Sequence, residues 1–157
     1  MIEVTDAEDG GWLLTHRAAV NPWQCDVNDH LTAREYLGFA GDAEWRLLFA
    51  LGDGRDQAGL SWADVKHEIV YKQELRAGDL IDIVSRVTSV GRTSIGTEQR
   101  IVNARTGEHC ATVTSVTVQF DLVHRRAMPL RNDIRAAAER MCDLAKDTNQ
   151  PGGQADA

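Results

Sequence analysis

Apolar and polar positions change period twice along this chain. From Trp12 to Val20 they suit a first strand. Tyr36, Phe39, Ala40, Ala43, Leu47 and Leu51 then recur at three- and four-residue steps, which predicts a helix from about Ala33 to Leu51. Its start is doubly marked. Thr32 and Glu35 have capping-box spacing, and Leu31 with Tyr36 has the spacing of a hydrophobic staple. Gly52 and Gly54 end it.

Beyond the glycines the period drops to two. Val65, His67, Ile69, Tyr71, Gln73 and Leu75 are expected on one face of a long strand, followed by a turn at Arg76–Asp79. Leu80–Val90, Thr93–Asn103 and Cys110–Leu122 read as three further strands, joined by a tight turn at Gly91-Arg92 and a hairpin turn over Ala104–Glu108. After Pro129 a last helix is expected over Asp133–Ala145, with Ile134, Ala137, Ala138, Met141 and Leu144 inward. The order is strand, long helix, four antiparallel strands, helix. That is an α+β layer in which one sheet covers part of a long helix, so self-association to a homodimer or homotetramer is expected.

Composition narrows the classes. The 157 residues make one domain, placed at 12–146, with residues 1–11 as a flexible arm and 147–157 as a disordered tail. A hydrophobic fraction of 43% and a charged fraction of 26% are those of a globular protein. The formal net charge of -7 argues against a general nucleic-acid binder but leaves room for local arginine clusters. Cys25, Cys110 and Cys142 are odd in number, far apart and without a CxxC pair, so a reduced, cytoplasmic protein without a bound metal is expected. No apolar run suggests a signal peptide or membrane span. Four tryptophans, Trp12, Trp23, Trp45 and Trp62, are assigned mostly to the core.

The chemistry concentrates in Gln24–Thr32, "QCDVNDHLT". A helix start needs one capping side chain, yet Asp26, Asn28, Asp29 and His30 crowd in front of it. Free amides and the helix dipole stabilise an anion there. A carboxylate, an imidazole and amide donors together suit acyl chemistry, with Asp26 expected to be partly buried and Thr32 to cap one or two amides. Ordinary turn formation explains Asp and Asn equally well, with His30 as a partner of Asp26.

Pro22, Trp23, Asp26, Asn28, His30 and Leu31, with Tyr36 following, resemble the signature of hotdog-fold acyl-CoA thioesterases of the 4-hydroxybenzoyl-CoA thioesterase-like group. "HEIVYKQELRAGD" (His67 to Asp79) and "VTSVGRTSI" (Val87 to Ile95) resemble later pieces of that family. The resemblance implies a hotdog fold: a long central helix wrapped by an antiparallel sheet of about five strands, with a C-terminal helix. It implies hydrolysis of an acyl-CoA ester, CoA entering only as part of the substrate and no cofactor being needed. Carried over, Asp26 becomes the general base or nucleophile, and Asn28 orients water or the carboxylate. His30 joins the loop's hydrogen-bond network, and the amides of Leu31 and Thr32 hold the oxyanion. Trp23, Tyr36, His67 and Tyr71 are candidates to line the acyl pocket, and Arg92, Arg125 and Arg126 to hold CoA phosphates through the guanidinium fork. The family usually has Gly where this chain has Asp29.

"FAGDAEWRLL" (Phe39 to Leu48) resembles the relatives that act on betainyl-CoA, whose quaternary ammonium suits an aromatic face such as Trp23, with Asp29 or Asp42 adding negative charge. Two other readings stand beside the thioesterase. An R-specific enoyl-CoA hydratase would pair Asp26 with His30, and a non-catalytic acyl-CoA-binding hotdog module would be favoured by Asp29.

Overall fold

The computed structural model describes residues 9–52 and 59–147. Strand β1 (Leu13–Ala19) leads through a loop to helix α1 (Ala33–Ala50). Strands β2 (Leu60–Tyr71), β3 (Leu80–Val90), β4 (Ser94–Asn103) and β5 (His109–Asp121) follow, then the two-residue β6 (Arg126–Ala127) and helix α2 (Asn132–Asp147). All pairings are antiparallel, in the order β1-β3-β4-β5-β2, and β6 pairs with β5 at Phe120 and Asp121. This is the hotdog architecture, with its central helix, curved sheet and C-terminal helix.

Helix α1 forms because its apolar stripe has somewhere to go. Tyr36, Phe39, Ala40 and Ala43 pack with Leu31, Leu75, Ile81, Ile83 and Ile101. Leu47, Leu48 and Leu51 join Ile134, Ala138 and Met141 of α2 in a second cluster. Each such large side chain, fully buried, contributes about 1.5–3 kcal/mol. Leu31 and Tyr36 do meet in the first cluster, as the staple spacing predicts. Gln99 reaches from β4 and donates to the carbonyl of Ala40 at 3.0 Å, pinning the helix to the sheet.

Several expectations are corrected. The second strand starts at Leu60 and ends at Tyr71, so Gln73 and Leu75 lie beyond it. A bulge between Asp64 and Lys66 leaves Val65 without a partner on β5 and 65% exposed. One extra residue flips the alternation, so Asp64 opposes Thr117 and shares the inner face with His67. In α2, Leu144 is exposed while Cys142 and Ala145 are buried. None of the four tryptophans is fully buried. Trp12 lies between the guanidiniums of Arg86 and Arg100, 4.4 and 4.3 Å from its ring.

Of the expected arm, Asp9–Gly11 form a 3-10 turn, and Asp147 of the expected tail ends α2. Residues 1–8 and 148–157 lie outside the described residues, as does Gly54. No helix among the described residues is long and apolar enough to cross a membrane.

Gly11 is where the amino-terminal turn meets α2. Its φ is +69°, and a Cβ there would stand 2.6 Å from the carbonyl oxygen of Met141. Gly11→Ala should therefore lower unfolding stability by about 1–3 kcal/mol, read by thermal or urea melts. An unchanged melt would mean that this turn is not docked on α2.

Candidate functional site

Backbone bonds close the loop ahead of α1 into a small hairpin. Cys25 and Leu31 form an isolated bridge, Asp26 N donates to His30 O at 2.9 Å, and Asp29 N donates to Asp26 O at 3.0 Å. Leu31 N then donates to Leu75 O at 2.8 Å, tying the loop to the β2–β3 connection. The Asp26 carboxylate faces back into the loop, its Oδ1 accepting from the amides of Asn28 (2.8 Å) and His30 (3.3 Å). Its Oδ2 takes no hydrogen bond from the described residues. Contrary to expectation, Asp26 is exposed.

The helix start also differs. Thr32 makes no side-chain cap, and its buried Oγ1 has no partner among the described residues. Gln24 instead engages the other residue of the expected box, its side-chain amide donating to Glu35 Oε2 at 2.9 Å. The amides expected to hold an oxyanion are already used: Leu31 N by Leu75 O, and Thr32 N by Gln24 O at 3.0 Å. The next two, of Ala33 and Arg34, have no acceptor among the described residues. Ala33 lines the cavity beside Asp26.

That cavity measures about 370 Å³ and is bordered by Asp26, His30, Ala33, Tyr36, Tyr71 and Lys72, among others. Tyr36 and Tyr71 meet edge to face at 5.1 Å. Burial, with smaller contributions from Cys110 and Tyr71, pushes the Tyr36 phenol up to about 12, so at neutral pH it keeps its proton. His30 does not turn to Asp26. Its Nε2 lies 2.6 Å from Glu74 Oε2, and Glu74 Oε1 accepts from Arg76 at 2.6 Å. Glu74 and Lys72 are not among the candidates read from sequence, although both lie in the "HEIVYKQELRAGD" stretch that resembles the family.

Five candidates lie elsewhere. Trp23 is 75% exposed and does not border the cavity. His67 sits further along β2, its Nδ1 2.8 Å from Ser115 Oγ and its Nε2 3.3 Å from Asp64 Oδ2. Arg92 lies in the turn at the end of β3 remote from the loop, about 35 Å away along the strand. Arg125 and Arg126 lie past the end of β5 and, with Leu60, mark the sheet end away from Tyr71. Arg125 stacks 5.3 Å over Phe120. Asn28 is exposed, and its backbone amide, rather than its side chain, serves Asp26.

Residues 20–138, well over half of the chain, match the family model of the thioesterase-like superfamily. The chain belongs to that superfamily. Solved structures agree on the fold. A hypothetical protein from Staphylococcus aureus, in complex with CoA, superposes with a TM-score of 0.75 at 16% identity, over 90% of this chain and 88% of that one. The probable thioesterase YbaW of Escherichia coli gives 0.69 at 22% identity, over 82% and 98%. A 1,4-dihydroxy-2-naphthoyl-CoA thioesterase from Synechocystis gives 0.69 at 16%, over 80% and 94%. No curated protein matches. In this thioesterase-like chain Asp29 holds a left-handed φ of 57°, which explains why glycine suits the position. Urea melts should therefore rank Asp29→Gly level with wild type or up to about 1 kcal/mol above it, and Asp29→Val about 1–2 kcal/mol below. A Val variant as stable as wild type would refute the strain.

Proposed function

We propose that the chain hydrolyses acyl-CoA thioesters, with Asp26 as general base or nucleophile. One observation carries this reading: Asp26, whose Oδ2 takes no hydrogen bond from the described residues, and Ala33, whose amide has no acceptor among them, border one cavity. A thioester carbonyl pointed at Ala33 and Arg34 would place its developing negative charge at the positive end of the helix. Asp26 would then act from beside it, on water or on the carbonyl carbon. CoA as the carrier is supported by the staphylococcal neighbour, which binds it. The acyl group is left to experiment. Trp23 is too exposed to form a cage for a betainyl group by itself, so that ester is one member of the panel rather than the favoured one.

The hydratase reading loses support because Glu74, not Asp26, holds His30. The binding-module reading keeps one observation in its favour, since Asp26 already serves as the acceptor of its own turn. Thiol release from benzoyl-, medium-chain and betainyl-CoA separates the two. Asp26→Asn should lower the best rate by about 10²–10⁴-fold. Tight CoA binding with no turnover by wild type would favour the module.

The proposed enzyme is a homodimer joined through β2. That strand ends the sheet with twelve residues and an edge unpaired among the described residues, where Val65, Val70 and Tyr71 are exposed. Beside it, Leu37, Trp45 and Phe49 form an exposed apolar stripe on α1. Antiparallel pairing of two β2 strands in full overlap sets Leu60 of one copy against Tyr71 of the other. Leu60 pairs with Asp121, and Asp121 with Arg126. The second copy's Arg125 and Arg126 thereby come to within about 10–15 Å of the Asp26 cavity, in reach of CoA phosphates. Wild type should elute as a dimer and Leu37→Glu as a monomer. Arg125→Ala with Arg126→Ala should raise KM about tenfold with little change in kcat. A monomeric wild type would overturn the assembly.

A further inference from the structure

A second group of ionisable side chains lies away from the Asp26 cavity, where α1 crosses β2. Glu44 projects from α1 and is 4% exposed. Asp64 and His67 project from β2 on the face that the bulge gives them. Each of the three offers one ligand atom, and the three atoms lie within 4.8 Å of one another. A cavity of about 50 Å³ adjoins them, bordered by Glu44, Asp64, Trp45, Trp62, Leu48 and Gly41.

The hydrogen bonds around the group leave one face of it open. Thr117 Oγ1 is 2.6 Å from Glu44 Oε1 and 3.1 Å from Asp64 Oδ1. Its single proton cannot serve both carboxylates. The other Glu44 oxygen, on a side chain more than nine-tenths buried, has no partner among the described residues. No lysine or arginine among them pairs with either acid; besides Thr117, Asp64 meets His67, at 3.3 Å. Ser115, itself 4% exposed, holds His67 Nδ1 at 2.8 Å. With Nδ1 donating there, the Nε2 lone pair is free to bind, and Ser115 acts as the outer hydrogen-bond partner that a metal-ligating histidine commonly has. One oxygen each from Glu44 and Asp64 and one ring nitrogen of His67 therefore lie close enough to share an ion, with Thr117 and Ser115 bonded to the same side chains.

We propose that Glu44, Asp64 and His67 bind one first-row divalent cation. Two carboxylate oxygens and one imidazole suit zinc, and also cobalt as its spectroscopic substitute. Ligand atoms on a tetrahedral zinc ion stand about 3.3 Å apart, so small rotations of Asp64 and His67 close the set around an ion. Seven residues of strand, about 23 Å, separate Asp64 from Tyr71 beside the Asp26 cavity. The ion therefore fastens α1 to the sheet's edge strand and stands apart from the Asp26 cavity of its own chain.

The test uses full-length protein freed of metal with a chelator, then titrated with Co²⁺ and with Zn²⁺. One ion per chain, a visible cobalt absorption band and a melting temperature raised by several degrees are expected. Glu44→Gln and Asp64→Asn should each weaken binding by more than about 100-fold, and Thr117→Val by about 10–100-fold. His30→Gln, in the loop ahead of α1, should leave binding unchanged. Circular dichroism and elution volume establish that each variant is folded. Asp64 is exposed, so Asp64→Asn keeps the test decisive if Glu44→Gln unfolds. No stoichiometric ion on wild type, or an ion retained by folded Asp64→Asn, would overturn the site. Thiol release from acyl-CoA is read separately, and its outcome does not bear on this one.

Discussion

The loop that leads into α1 is tied to the β2–β3 connection by a backbone hydrogen bond from Leu31 to the carbonyl of Leu75. Leu75 is fully buried, so the bond is formed in a region from which water is excluded. Breaking it would leave two polar groups unsatisfied there. Much of the candidate site follows from it. The loop must close on itself between Cys25 and Leu31, which turns the Asp26 carboxylate onto its own amides. Leu31 spends its amide on Leu75, and Thr32 spends its own on Gln24. The free donors are thereby displaced to Ala33 and Arg34, one step into the helix.

The same docking determines what α1 does not cover. Its apolar stripe is consumed by the core of β1, β3 and β4 on one side and by α2 on the other. Leu37, Trp45 and Phe49 remain exposed next to the unpaired edge of β2. A helix surface and a strand edge open on the same side are complementary to their own copies under a twofold rotation. In the proposed dimer that rotation would bring Arg125 and Arg126 of the second copy toward Asp26. Self-association and phosphate recognition would then both follow from leaving β2 at the end of the sheet.

Local signals made most of the fold legible. The strand Leu80–Val90 and the start of α1 at Ala33 were readable because alternation, turn residues and a staple agree there. The misses have specific causes. The bulge after Asp64 inserts one residue with no composition cue, so Val65, expected on the face of His67, is left unpaired and Asp64 takes that face. Thr32 has the spacing of a cap, but Gln24, eleven residues upstream of Glu35, competes for the same carboxylate. Leu144 is apolar but falls off the buried stripe of α2. For the site, Asp26, His30, Tyr36 and Tyr71 do gather at one cavity. Trp23, His67 and the three arginines do not, because spacing along a chain says nothing about which end of a sheet a strand terminus reaches.

By itself, the sequence determined periodicity, turn chemistry and the crowding of polar groups before α1, since these depend on neighbours within a few residues. The resemblance of its loop motif also pointed to the superfamily. Which amides stay free, whom His30 faces and where the arginines lie were decided only by tertiary structure. So was the meeting of Glu44 with Asp64 and His67, which no local motif joins. Those facts depend on strand order, on one bulge and on competition for hydrogen-bond partners between distant segments, and each is settled when the chain packs.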